Sequence, residues 1–304
     1  MIIYWHRVEY TKRIKIIGDN IYTIMDINRE LKSFERFMIT ERKSYYTIKE
    51  YKFLISGFLS YCNKDLSSID FDDVENYKNF IVTEKQYSKA SQYLAMKALR
   101  LYYKFKNKDT PPNLIPPRRS QKMPVYLNQK DAGVLINGAK STRDIAVISV
   151  FLYTGIRVSE LTNLQIGDVD FDENIIYIHA GKGDKDRIVV MPDICREHIK
   201  SYMKERIRIK SSNNYLFISN KKTKFDTSTV ERMVKRVAKN AGITKNVTPH
   251  VLRHTFATSI LRNGGDIRFI QQILGHSSLA TTQIYTHIDD STLKEMYSRH
   301  MPKY

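Results

Sequence analysis

Four side chains near the C-terminus have types and spacing that could do chemistry on an anionic substrate. His250 and Arg253 lie three residues apart, and Tyr285 lies nine residues after His276. An arginine offers a rigid fork of N–H donors to an anion. A tyrosine, with an ordinary pKa of about 10, attacks at neutral pH only where cations or a base assist the loss of its proton. These residue types could therefore bind an anion and attack it.

The first two of these side chains are predicted to lie on a helix. Thr248 suits the N-cap and Pro249 the first helical position, and a Gly-Gly pair ends the segment. An apolar stripe at helical spacing consists of Leu252, Phe256 and Ile260. Because His250, Arg253 and His254 fall outside that stripe, we expect all three to face away from the core.

A second amphipathic helix is expected directly after the first. Asp266 suits its N-cap, and Gly275 should end it. Its apolar stripe consists of Ile267, Ile270, Ile273 and Leu274. His276 would then lie on a turn, and Tyr285 would lie in a short polar segment where a substrate can reach it.

This segment resembles the last motif block of the tyrosine recombinases, especially those of the Xer type. The family pattern is His-x-x-Arg, then Gly-His, then a tyrosine nine residues later, and it matches His250, Arg253, His276 and Tyr285. The resemblance implies that the substrate is a DNA phosphodiester and that His276 donates to the phosphate.

A second block matches the family's pattern Gly-x-Arg-x-x-Glu-Leu at Gly155, Arg157, Glu160 and Leu161. Arg157 is expected to start a helix where backbone donors and its guanidinium both face an anion. Glu160 lies one turn further on and could steady that guanidinium. From these residues alone, an ordinary surface arginine with an acidic neighbour is the alternative.

A predicted β-hairpin carries a lysine between these blocks. Segments 175–179 and 187–190 are rich in β-branched residues and flank the turn GKGDKD. A Walker-type phosphate loop is excluded, because the pattern G-x-x-x-x-G-K-[ST] is absent. The resemblance implies that Lys182 is the catalytic lysine and that Lys185 contacts phosphate or lies on the surface.

The resemblance also implies how these groups act together. Arg157 and Arg253 would neutralise the nonbridging oxygens of the phosphate, and His250 would assist deprotonation of Tyr285. Lys182 would give a proton to the leaving 5′ oxygen. The tyrosine would become joined to the 3′ phosphate, so that the reaction needs no cofactor, neither ATP nor a metal. A zinc site from His250, His254 and His276 is conceivable, but no Glu lies between the first two as in a metalloprotease helix.

The charge of the chain also favours a nucleic-acid partner. The 304 residues include 50 Lys and Arg against 32 Asp and Glu, a net charge of +18. Residues 1–124 hold 23 basic and 14 acidic residues, and the remainder hold 27 and 18, so a basic tail does not explain the charge. Two basic lobes could clamp a polyanion, although a merely soluble basic protein or a thermophilic one rich in ion pairs would have a similar composition. No apolar run is long enough to span a bilayer and no signal peptide is evident, so we expect a cytoplasmic protein without a membrane partner.

The chain is expected to be mainly α-helical, with a small antiparallel β-sheet in its C-terminal domain and the two-domain architecture of a tyrosine recombinase. We predict four parts. They are an unassigned extension (1–24), a helical DNA-binding domain (25–108), a proline-rich basic linker (109–124), and a catalytic domain with a C-terminal tail (125–304). Five prolines stiffen the linker.

Several basic side chains are predicted to contact DNA phosphates. The helix predicted over residues 88–108 has an apolar stripe and a basic face. Taken alone, such a face is more often simply solvated; the resemblance implies that this domain covers DNA. The predicted contacts on the helix, the linker and the hairpin are Lys89, Lys97, Arg100, Lys104, Arg118, Arg119 and Lys185.

The expected function is site-specific recombination of double-stranded DNA at a specific site. A Xer-type resolvase of chromosome or plasmid dimers is the main interpretation, since no additional N-terminal domain is evident. An integrase of a virus or mobile element would use the same chemistry. A type IB topoisomerase and a DNA-binding protein without catalysis are further alternatives. The resemblance implies a homotetramer on DNA, with a monomer or dimer when free and a C-terminal tail that docks on a neighbouring subunit or on its own.

Overall fold

A computed structural model describes most of the chain. It covers residues 20–64, 68–112, 114–117, 125–179, 186–209, 211–266, 270, 273–274, 299–300 and 302, with side chains from residue 27 onward. Contacts divide the chain into two units, Met1–Lys122 and Met123–Tyr304. Each unit is described by itself.

The described part of the first unit is helical. Its helices are α1 (Asn20–Thr40), α2 (Tyr45–Cys62), α3 (Phe71–Thr83) and α4 (Lys89–Phe105). Local sequence sets their starts, because Ser44, Asp70 and Ser88 each accept a backbone N–H three residues on. Helical spacing in the sequence predicts four helices, over residues 25–40, 47–62, 71–83 and 88–108, and all four are present. Helix α1 begins at Asn20 and α2 at Tyr45, earlier than predicted, and α4 ends at Phe105 rather than at Lys108.

Aromatic side chains fill the core of this helical unit. The ring of Phe34 meets that of Tyr102 edge-on, with centroids 5.2 Å apart. The Tyr102 hydroxyl donates to Glu30 at 2.8 Å, so that its polar end is satisfied. Burial of Tyr102 and this bond to Glu30 raise the pKa of Tyr102 far above its ordinary value, and the ring stays a neutral part of the core.

The second unit combines helices with a small sheet. Its helices are α5 (Gln129–Asn137), α6 (Thr142–Thr154), α7 (Val158–Asn163), α8 (Asp193–Arg208), α9 (Thr227–Asn240) and α10 (Pro249–Arg262). Its strands are β1 (Val169–Asp170), β2 (Ile175–Ile178) and β3 (Arg187–Val190), preceded by a 3₁₀ turn at Ile166–Asp168. Both strand pairs are antiparallel, in the order β1-β2-β3, with Ile178 opposite Arg187. The predicted mainly helical fold with a small antiparallel sheet is confirmed.

Helix α6 is the centre of the second unit. Every residue from Ala146 to Thr154 is buried, and α6 packs against α8 and α10. Ser149 is fully buried, and its Oγ forms a hydrogen bond of 2.6 Å with Nδ1 of His198 on α8. Gly155 ends the helix in a left-handed conformation, with φ of 63°.

The aromatic and aliphatic residues at 215–219 predict a short strand, and this prediction is wrong. This segment forms only isolated bridges, Gln165 with Tyr215 and Ile218 with Lys224. Leu216, Phe217 and Ile218 are buried by packing, but among the described residues no neighbouring segment runs alongside them far enough to build a ladder.

Two further predictions concern segments that are described in part or not at all. Of the predicted apolar stripe after Asp266, Ile270, Ile273 and Leu274 are described and buried. Residue 267 lies outside the described residues, and so does the segment 292–297, for which the sequence predicts a short helix. Of the predicted extension 1–24, residues 1–19 also lie outside them, and residues 20–24 belong to α1. Among the helices that are described, none is long and apolar enough to cross a membrane.

Candidate active site

The site begins at the break after α6. Gly155 turns the chain, and Arg157 becomes the N-cap residue of the short helix α7. The backbone N–H of Arg157 donates to Oε2 of Glu160 at 2.7 Å, and its Nη1 donates to Oε1 at 2.9 Å. Glu160 therefore holds the arginine at both ends, as the i,i+3 spacing predicted. The Arg157 backbone donor, expected to face an anion, is used by Glu160 instead.

A third residue, Arg187, completes this cluster. Its Nη1 and Nη2 donate to the two oxygens of Glu160 at 2.9 and 2.8 Å, and its Nε donates to the carbonyl oxygen of Ile273 at 2.7 Å. Sequence reasoning assigned Arg187 only to a strand. The available signal was its place as the first residue of β3, directly after the GKGDKD turn.

The charges of this cluster are matched. Burial disfavours the charged form of Glu160, but the bonds from Arg187 and from the Arg157 backbone outweigh that cost and hold the pKa of Glu160 below its ordinary value. The side chains of Glu160 and Arg187 are only 9% and 12% exposed, whereas that of Arg157 is 28% exposed. The cluster is thus anchored inside the unit and opens toward solvent at Arg157.

Arg253 does not face away from the core as predicted. The residue is 6% exposed; its Nη1 donates to the carbonyl of Gly155 at 2.8 Å and its Nη2 to that of Leu274 at 2.5 Å. The prediction failed because α10 is enclosed over a wider arc than its apolar stripe indicates. Carbonyl acceptors from two distant segments offset the cost of burying the guanidinium.

The arginines are linked through the backbone rather than directly. Arg253 binds the carbonyl two residues before Arg157, and Arg187 and Arg253 bind the adjacent carbonyls of Ile273 and Leu274. Three segments, around residues 155–160, 187 and 273–274, are therefore held together. Arg157 and Arg253, 96 positions apart in the chain, are thereby brought into one cluster.

The two histidines of α10 are exposed, as predicted. His250 lies in the first turn of the helix and His254 one turn later. Although His254 is exposed, its ring is partly desolvated, and this desolvation, followed by the proximity of His250 and Arg253, lowers the pKa of His254. His254 therefore favours its neutral form more strongly than an isolated histidine does, beside the Arg253 guanidinium.

The remaining predicted site residues lie outside the described residues. They are Lys182, Lys185, His276, Tyr285, Arg118 and Arg119. Two of them are close in sequence to the described cluster, since Lys182 precedes Arg187 by five residues and His276 follows Leu274 by two. No group of three or more metal-ligand side chains occurs within the described ranges.

The predicted basic face of α4 is only partly available. Lys89, Lys97, Arg100 and Lys104 are all exposed. Lys104 binds Glu41 at 3.1 Å, and Lys97 lies over the ring of Tyr93 with its Nζ 5.1 Å from the centroid. The face therefore includes one lysine that is already neutralised by a carboxylate.

Two family models match the chain. The model of the phage integrase family matches residues 126–292, and that of the phage integrase N-terminal SAM-like domain matches residues 31–110. Tyrosine recombinase XerA of Thermococcus kodakarensis is 34% identical over 276 residues, which cover 88% of this chain and 94% of the relative.

Solved structures agree with this result. A crystal structure of XerA recombinase is 57% identical and covers 91% of this chain and all of its own, with a TM-score of 0.51. The XerH site-specific recombinase bound to its difH substrate is similar in fold, with a TM-score of 0.65 at 24% identity over 92% of this chain and 88% of its own. These matches show that the chain belongs to the phage integrase family, as a Xer-type tyrosine recombinase that cuts and rejoins DNA.

Proposed function

We propose that this recombinase cuts DNA with Tyr285 and forms a 3′-phosphotyrosine intermediate. Arg157 and Arg253 bind the nonbridging oxygens of the phosphate, where negative charge must be stabilised as the phenol oxygen attacks. The phosphate bond to the 5′ oxygen breaks, and Lys182 gives that oxygen a proton. A free 5′ hydroxyl remains, and its attack on the phosphotyrosine reverses the step.

The two histidines of the motif complete the proposed site. His250, exposed in the first turn of α10, assists the loss of the Tyr285 proton. His276 donates to the phosphate. No residue in this scheme changes oxidation state, and the energy of the broken ester is kept in the new one.

One observation carries this proposal. Two arginines that are far apart in sequence are held on the same set of segments, 155–160 and 273–274, by hydrogen bonds that fix their directions. A phosphodiester requires such convergence, because its charge must be neutralised at the moment the nucleophile is in line.

A suicide substrate tests the chemistry. A duplex nicked close to the cleavage site loses its short 5′-hydroxyl fragment, so that the covalent adduct accumulates. Incubation without a metal should give an adduct for the wild type and none for Tyr285→Phe. Tyr177→Phe is the matched control, because Tyr177 is an exposed tyrosine on β2 and should react as the wild type does. An adduct of equal yield in Tyr285→Phe would refute the proposal.

We also propose that the biological substrate is a chromosome or plasmid dimer, resolved in the cytoplasm by a tetramer on two duplexes. The support is the similarity to XerA and XerH over both family domains. Strand exchange between two duplexes would distinguish a recombinase from a type IB topoisomerase.

An integrase of a mobile element is the second candidate, because a Tn1549 transposon integrase shares the fold with a TM-score of 0.64. Sequencing the cellular DNA bound covalently to Tyr285 separates the two. A single chromosomal or plasmid locus indicates dimer resolution, whereas the ends of a mobile element indicate integration.

For the first unit we propose a DNA-binding role for residues 25–108, with 109–124 as the linker and 125–304 as the catalytic part. The exposed cations of α4, Lys89, Lys97 and Arg100, are the proposed phosphate contacts in this unit. Arg118, Arg119 and Lys185 remain proposed contacts on the linker and the hairpin.

A further inference from the structure

The carboxylate of Glu160 accepts four hydrogen bonds from two arginines. Its Oε1 accepts from Nη1 of Arg157 and from Nη1 of Arg187, both at 2.9 Å. Its Oε2 accepts from the backbone N–H of Arg157 at 2.7 Å and from Nη2 of Arg187 at 2.8 Å. A carboxylate has about four lone-pair sites, so these bonds leave it little freedom to turn.

Arg187 extends this arrangement to a third segment. Its Nε donates to the carbonyl of Ile273, and the carbonyl of the next residue, Leu274, accepts from Arg253. The side chain starts from β3, where Arg187 pairs with Ile178 of β2. The sheet thus fixes the backbone of Arg187. Its guanidinium joins Glu160 of α7 to the segment 273–274, which precedes His276 in the sequence.

We propose that Arg187 is a positioning residue for DNA cleavage, acting through Glu160 on the direction of the Arg157 guanidinium. This inference rests on the proposed function, in which Arg157 binds the reacting phosphate. All three guanidinium nitrogens of Arg187 already donate to acceptors of the protein, Nε to Ile273 and both Nη atoms to Glu160, so we assign it to the support of Arg157 rather than to the phosphate. It also holds Ile273 and so the start of the segment leading to His276.

A lysine cannot replace this arginine. The fork of Arg187 makes two parallel bonds to the carboxylate and a third bond at a fixed angle, whereas a lysine presents a single nitrogen. Arg187→Lys keeps the positive charge beside Glu160 but loses that geometry. A displacement of about 1 Å at a catalytic group costs about 100-fold in rate.

The rate of adduct formation tests the proposal. Full-length wild type and Arg187→Lys are mixed with saturating nicked suicide duplex in single-turnover experiments, and the DNA Kd is measured separately by fluorescence anisotropy. We expect adduct formation to be about 100-fold slower in Arg187→Lys, with a Kd that stays within about threefold because phosphate contacts elsewhere set the affinity.

Arg206→Lys is the matched control. Arg206 is a buried arginine of the same unit, 3% exposed, and donates to the carbonyls of Asn213 and Tyr215. A general loss of packing would slow both variants alike, whereas a positioning role slows only Arg187→Lys. Near-UV circular dichroism and the thermal midpoint establish that each variant is folded.

Coupling with Glu160 gives a second readout. If Arg187 acts through Glu160, the double variant Arg187→Lys/Glu160→Gln should be no slower than Glu160→Gln alone. Multiplicative effects, or a rate within threefold of the wild type for folded Arg187→Lys, would overturn the inference. If Arg187→Lys does not fold, adduct formation at the wild-type rate in folded Glu160→Gln would also overturn the inference. Loss of the wild-type adduct, or its persistence in Tyr285→Phe, would instead contradict the proposed function.

Discussion

Substitution of Gly155 by alanine should destabilise the second unit through two separable effects. Gly155 has φ of 63°, and a Cβ added there would lie 2.3 Å from Cδ1 of Phe256 and 2.9 Å from Cδ2 of Leu274. The left-handed backbone costs a non-glycine residue about 1–2 kcal/mol. Forcing a methyl group into a packed core costs a further ~1–3 kcal/mol. We therefore expect a loss of about 2–5 kcal/mol in the free energy of unfolding.

Gly242→Ala isolates the backbone effect. Gly242 has φ of 72°, and an added Cβ would meet nothing within 4 Å, so only the conformational cost of about 1–2 kcal/mol applies. Hydrogen exchange of α6 and α10 amides measures the opening free energy of the second unit without interference from the first. Gly155→Ala should open more easily than Gly242→Ala by about 1–3 kcal/mol.

Gly155→Ala should also slow DNA cleavage. The carbonyl of Gly155 holds Arg253, and Phe256 lies one turn further along α10 from that arginine. A shift of Phe256 would displace both the Gly155 carbonyl and Arg253.

Equal hydrogen-exchange protection in Gly155→Ala and Gly242→Ala, or a difference below about 0.5 kcal/mol, would refute the stability prediction. It would show that the packing around Gly155 is looser than the contact distances indicate.

Three further predictions concern charge. The pKa of Glu160 is lowered in the folded chain, so its carboxylate stabilises the fold above its ordinary pKa of 4.5, and this contribution is lost as pH falls below that value. The difference in stability between wild type and Glu160→Gln should therefore decrease with pH in acid-denaturation curves, and a constant difference from pH 7 to 3 would contradict this. The pKa of His254 is lowered below its ordinary 6.5, so the unfolded chain takes up a proton before the folded chain does as pH falls through 6.5, and the fold loses stability. The thermal midpoint of His254→Gln should therefore fall less between pH 7.5 and 5.5 than that of the wild type, and parallel curves would refute this prediction. Lys97→Ala and Arg100→Ala should each reduce the slope of log K against log salt by about 1, whereas Lys104→Ala should reduce it by less because a carboxylate already pairs with that lysine. Equal reductions in the three single variants would argue against the proposed DNA face of α4.

Local sequence was sufficient to predict most elements of the fold. Helix α3 and strand β3 have the predicted bounds, and Thr248 is an N-cap as expected. Caps, helix-ending glycines and apolar periodicity are short-range signals, and the packing of each unit agrees with them. The strand predicted at residues 215–219 failed because pairing depends on a partner that no local signal specifies.

The sequence by itself also placed Arg157, Glu160 and Arg253 in one hypothesis, through the resemblance of its motif blocks to those of the tyrosine recombinases. It did not determine how they are held. The burial of Arg253 depends on carbonyls at residues 155 and 274, and the role of Arg187 depends on Glu160 and on residue 273. Such bonds join segments that are distant in the chain, and only their packing around α6 decides which acceptor meets each guanidinium.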